Sequence, residues 1–205
     1  MRGVCNIGKT AELKRYPAYM YRITPHFVEQ LRDEGYDVWT ISLWEDWLTK
    51  MPEFESALLQ IDRAFRNTSL GDGIGLREAN AIDDYATQAE RVRQRQLDEK
   101  NEWRNIAPEM LNQNYVAPTY FDARGFYFHL PAFLIAELNG QFNWDFVERL
   151  IEKHPRSTEW IGLLNDSQAN AIVHTLEVLK HYPAYYGKYD AFDRAITRIR
   201  DHPYR

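Results

Sequence analysis

At 205 residues, 44% hydrophobic and 27% charged, the chain is long enough to fill one core and has the composition of a soluble globular protein. A net charge of −5 argues against non-specific binding to nucleic acid or anionic membranes. Cys5 is the only cysteine, which excludes an intrachain disulfide. With no signal-peptide-like stretch and no apolar run of membrane-spanning length, a cytoplasmic protein is expected.

In chain order, Thr24-Pro25 predicts a helix with threonine as N-cap and proline at the first helical position, stopping at Gly35. Residues 37–41 are short and β-prone. Ser42 is placed to cap a short helix that sets Trp44 and Trp47 on one face. Pro52 reads as a break. From Glu53 onward, Leu58, Ile61 and Phe65 recur at helical spacing, up to a loop at 67–75. Leu76, Ala79, Ile82, Ala86 and Ala89 then predict one amphipathic helix running past Gln96. A short helical or turn segment around Pro108 follows.

Tyr120-Phe121 and the run 126–130 flank Asp122-Ala123-Arg124-Gly125, with aspartate first and glycine last. Aromatic runs about such a turn predict a small β-hairpin. Phe126, Phe128, Phe133 and Leu134 are the expected core. A buried helix is predicted from Pro131 to Asn139-Gly140. Asn165 with Gln168 predicts a capped helix carrying Ile172, Leu176 and Leu179, closed by Pro183. A last helix carries Phe192, Ala195, Ile196 and Ile199. The expected fold is mostly α, a compact helical domain over 53–205 with one small β-hairpin near 120–130. Residues 1–52 are expected to pack on it as an N-terminal extension.

Several blocks carry a family resemblance. They are residues 61–65 leading into Gly71-Asp72-Gly73-Ile74-Gly75-Leu76-Arg77-Glu78-Ala79, then Ile82-Asp83-Asp84-Tyr85, Asp98-Glu99 with Trp103, and Phe121-Asp122-Ala123-Arg124-Gly125 through Phe133. A weaker block is Leu163-Leu164-Asn165 with Gln168. Together they resemble an uncharacterised bacterial family known as a domain of unknown function, over roughly residues 53–182. The family brings no established activity with it. Uncharacterised families of this size and acidity include immunity proteins that accompany secreted toxins, and that analogy of class implies a protein-binding role.

The residues offer few catalytic patterns. Gly3-Val4-Cys5-Asn6-Ile7-Gly8-Lys9-Thr10 matches the phosphate-loop pattern by letter. That chemistry needs a strand before the loop, and only Met1 and Arg2 precede Gly3 here, so no nucleotide is expected. Gly71-Asp72-Gly73-Ile74-Gly75 follows a helix and lacks dinucleotide spacing, so it reads as a loop between helices. Asp98 and Glu102, four apart on one helical face, would suit a cation or acid–base work, but a solvated charged face is the ordinary reading. His129, with Asp122 to orient it, is a candidate base, against the plainer reading of a half-buried histidine. His174 and His181 lie seven apart without a third ligand, and neither metal nor cofactor is expected.

Charge gives the remaining signal. Residues 70–90 hold Asp72, Glu78, Asp83, Asp84 and Glu90 against Arg77, a local net of 1 − 5 = −4. Asp72, Glu78, Asp83 and Asp84 are therefore the expected contacts for a basic protein partner, with a toxin as the leading candidate. The alternative is a small hydrolase or metal-dependent enzyme using Asp98, Glu102, Asp122 or His129.

Overall fold

The computed structural model describes residues 20–152 and 159–202; the phosphate-loop-like stretch and Cys5 lie outside the described residues. The helices are α1 (Pro25–Asp33), α2 (Val38–Thr49), α3 (Met51–Ala64), α4 (Leu76–Asp83), α5 (Gln88–Leu97), α6 (Pro108–Gln113), α7 (Ala123–Leu138), α8 (Phe146–Ile151), α9 (Asp166–Leu179) and α10 (Tyr189–Arg200). Short 3-10 turns stand at Trp103–Asn105, Ala117–Thr119, Trp160–Leu163 and Pro183–Tyr185. Among the described residues there is no strand.

The predicted hairpin is thus replaced by the first two turns of α7. Asp122 does not open a β-turn: its carboxylate accepts from the backbone N–H of Gly125 at 2.7 Å, the bond an N-cap makes. Aspartate with glycine three residues later suits both geometries, so the motif does not choose between them. The following aromatic run has no alternation to separate strand from helix, because α7 is buried on nearly every side. Its neighbours are α3, α6, α8 and the turns at Trp103–Asn105 and Trp160–Leu163. Pro131 therefore does not begin the helix but lies inside it. It has no N–H for the carbonyl four residues back, a loss the surrounding packing outweighs.

Other boundaries move for equally local reasons. Asp37, not Ser42, caps α2, accepting from Thr40 N at 2.9 Å and from its hydroxyl at 2.8 Å. The β-prone residues 38–41 join that helix. Pro52 sits in the first turn of α3, where a missing N–H costs nothing. The single helix expected from Leu76 past Gln96 is two. α4 stops at Asp83, Tyr85 turns the chain with φ 54°, and Thr87 caps α5 by accepting from Glu90 N. Elsewhere Asn165 and Gln168 form the expected reciprocal capping box, Gly35 and Gly140 end their helices at positive φ, and Thr24 stands at the α1 N-cap without a side-chain capping bond.

Residues 20–52 share the one core. Trp44 and Trp47 are both buried, and the Trp47 indole donates to Tyr21 O at 2.8 Å. The Tyr21 ring meets Tyr182, which follows α9, at 4.4 Å between centroids. Phe128, Phe133 and Leu134 are wholly buried, and Phe126 is partly so. No helix among the described residues is long and apolar enough to cross a membrane.

Candidate binding site

Residues from several of the blocks that carry the family resemblance meet in space, where Asp98 and Asp122 accept from backbone N–H groups of the 74–78 segment. Asp98, just past α5, accepts from Arg77 N at 2.7 Å and Glu78 N at 3.2 Å, capping α4 from outside. A β-carbon on Gly75 would lie 2.2 Å from the Asp98 carboxyl carbon, so the cap requires glycine there. Asp122 Oδ1 accepts from Ile74 N at 3.1 Å as well as from Gly125 N. Gly125 in turn lets Ile74 O approach to where a β-carbon would stand 2.3 Å away. The loop 71–75 is thereby laid against the start of α7. Its glycines serve close approach, with no sign of a dinucleotide loop.

This arrangement decides the fate of the candidate residues. Glu78 is 3% exposed and bound by Arg95 at 2.5 and 2.9 Å, with Arg91 at 3.6 Å; it is buried structure and not a surface contact. Asp72 is exposed and pairs with Arg124 at 3.2 Å. Asp84 accepts from the Asn80 amide at 3.2 Å, and Asp83 accepts from the Tyr120 hydroxyl. Asp98 and Glu102 share no helix, since α5 ends at Leu97; Glu102 accepts from Arg104. His129 is 1% exposed, stacks on Phe121 at 4.5 Å, and donates through Nδ1 to Gly125 O at 2.7 Å. Burial pushes its pKa down to about 4. His174 bonds Gln60 and His181 bonds Asp46, so the two serve separate surface contacts.

What the sequence reading missed lies on the other side of Tyr120. A cavity of about 610 Å³ opens between the start of α7, α8 and the turn at Trp160–Leu163. Its lining includes Ile74 and Asp122, members of the same backbone joint, together with Phe126. Phe126 stacks on Trp160 at 5.1 Å and on Phe146 at 5.6 Å. The acidic side is Asp145, Glu148, Glu152 and Glu159, set against Arg149. Arg149 donates to Thr119 at 3.0 Å; burial pushes its pKa down, and Glu152 pulls it back up. In the sequence these four carboxylates are interspersed with Arg149, Lys153 and Arg156, so the run carries a net of only 3 − 4 = −1. Tyr120 lines this cavity while its hydroxyl holds Asp83, joining the cavity to the α4–α5 corner.

A model of a family of unknown function, DUF6714, matches residues 54–194. The chain belongs to that family. Comparison with curated proteins and with solved structures found no match. In this DUF6714 chain one buried network reaches outside the matched span. Glu137 of α7 accepts from Phe146 N at 2.7 Å and Val147 N at 2.9 Å, pinning the start of α8. Its other oxygen accepts from the Tyr21 hydroxyl at 2.8 Å, and Tyr21 meets Tyr185 at 2.8 Å. Tyr185 reaches Asp145, the α8 N-cap in the cavity wall, at 3.4 Å. Burial first, then the charge of Asp145, pushes Glu137 up to about 8. Burial also pushes Asp145 up to about 6, against the pull of Lys188.

Proposed function

We propose that this chain is a cytoplasmic protein-binding module for a basic partner, in the manner of an immunity protein that covers a toxic enzyme. The observation that carries the reading is Tyr85. It occupies the left-handed position that ends α4, with its N–H on Ile82 O and the next N–H on Ala81 O, a place where glycine is the favoured residue. Its side chain is 96% exposed, so this strained tyrosine gains almost no packing within the chain. Asp83 and Asp84 precede it directly. An aromatic anchor rimmed by carboxylates suits a basic protein surface, the ring for desolvated contact and the charges for steering.

The test is differential capture from the native host. Wild-type protein should retain a basic protein that the Asp83→Lys, Asp84→Lys, Tyr85→Gly variant loses. Added salt should release it, because exposed charges are screened within about 8–10 Å at physiological ionic strength. Equal retention by a folded triple variant removes the corner from the interface and overturns the reading. Protection of cells from the captured protein by co-expression would establish the immunity role; growth arrest undiminished by co-expression would refute it.

A further inference from the structure

We propose that the cavity beside α8 receives an arginine side chain of the partner. The inference rests on the protein-binding reading and adds a chemical identity to what is bound. The volume, about 610 Å³, falls within the roughly 300–1,000 Å³ of small-ligand sites. The described lining carries Asp122, Asp145, Glu148, Glu152 and Glu159 against Arg149, and Lys188 pairs with Glu148 beside it, leaving a net of 2 − 5 = −3. Such a wall selects a cation.

The cation is organic. Among the described residues no three His, Cys, Asp or Glu side chains converge as metal ligands; the carboxylates are spread around a wide space. The remaining wall is aromatic and apolar, with Phe126 and Trp160 stacked and Pro118, Phe121 and Ile74 beside them. An arginine presents a methylene stem to such surfaces and a flat guanidinium that stacks on rings and bonds carboxylates in pairs. Ammonium groups lack the flat face. A bare polyamine lacks that flat face as well, so a peptide arginine is the better fit to the ring surfaces of this wall. Tyr120 ties the cavity to Asp83, so an arginine here and a contact at Tyr85 belong to one continuous surface.

The experiment titrates the full chain calorimetrically with acetyl-Gly-Arg-Gly-amide, with the same peptide carrying citrulline or lysine, and with spermidine. The arginine peptide should bind, and the neutral citrulline peptide should bind about tenfold more weakly or worse. Glu152 and Glu159 are exposed, so the Glu152→Gln, Glu159→Gln variant should keep its melting temperature while weakening the arginine peptide by about tenfold. No binding of the arginine peptide, equal binding of the citrulline peptide, or an unaffected carboxamide variant overturns the proposal. Lysine binding as tight as arginine removes the guanidinium; spermidine binding as tight identifies a polyamine site instead. The two readings separate by capture: partner lost by the corner variant but kept by the cavity variant leaves the module standing and the arginine pocket refuted.

Discussion

Gly75 and Asp98 share one space: a β-carbon on the glycine would stand 2.2 Å from the carboxyl carbon that caps α4. Gly75→Ala should therefore destabilise by about 1–3 kcal/mol, the usual range for overpacking. Asp98→Ala should cost about 0.5–2 kcal/mol as a lost cap. The double variant should be less unstable than the two losses added, because removing the carboxylate makes room for the methyl. Urea unfolding of the four proteins measures the coupling. Strict additivity would mean that the contact does not exist.

Gly125→Ala should be worse than Gly75→Ala. The obstacle there is Ile74 O, 2.3 Å from the added carbon, and backbone held by Asp122 has no rotamer to escape into. A loss above about 3 kcal/mol, or no folded protein at all, is expected in the same assay.

Phe128 and His129 distinguish helix from hairpin. A strand would turn them to opposite faces, making His129→Ala mild beside Phe128→Ala. In α7 both are buried, and His129 carries a hydrogen bond and a stacked ring besides. Phe128→Ala should cost about 3–5 kcal/mol and His129→Ala about 2 kcal/mol or more. A neutral His129→Ala would contradict the helix.

Two buried groups give opposite pH dependences. His129 has a folded pKa of about 4, below its ordinary 6.5, so its stability contribution is complete above pH 6.5 and is lost as pH falls towards 4. Glu137 has a folded pKa of about 8, above its ordinary 4.5, so its contribution is complete below pH 4.5 and is lost as pH rises towards 8. Glu137→Gln, which keeps an oxygen for the α8 N–H groups, should make unfolding free energy less pH-dependent between 4.5 and 8 and favour the variant most at pH 8. His129→Phe should flatten the profile between 6.5 and 4. Profiles unchanged by these substitutions would assign the slopes to other groups.

Tyr85→Gly should raise stability by about 1 kcal/mol, since glycine enters the left-handed region without a β-carbon penalty and the exposed ring forfeits little packing. A higher melting temperature together with weaker partner capture would be the signature of a residue kept for binding. A lower melting temperature would show that the ring stabilises the corner.

The acidic run 70–90 shows how a sequence signal can be divided by folding. All five carboxylates are legible as charge, yet Arg91 and Arg95 of α5 fold back onto Glu78 and bury it, Arg93 pairs with Glu90, and Tyr120 holds a half-buried Asp83, leaving Asp72 and Asp84 exposed. The cavity acids were invisible for the opposite reason. Asp145, Glu148, Glu152 and Glu159 are interspersed with basic residues along the chain, and the cavity exists only where α8 and the turn at Trp160–Leu163 meet α7.

The sequence by itself determined the Asn165–Gln168 capping box, the glycine stops and most helical faces, because each depends on groups three or four residues apart; the caps of α2, α5 and α7 and the distant Asp98 cap of α4 it did not. Thr24-Pro25, the Asn165–Gln168 box and the Trp44–Trp47 pair needed no distant partner to be read. Tertiary structure decided that residues 123–130 are helical, since only their being enclosed on nearly every side explains an aromatic run without period. It decided too that Glu137, an ordinary carboxylate in the sequence, is a buried acid tied to Tyr21, Tyr185 and the start of α8. Desolvation depends on what closes around a group, and those neighbours come from positions more than a hundred residues apart along the chain.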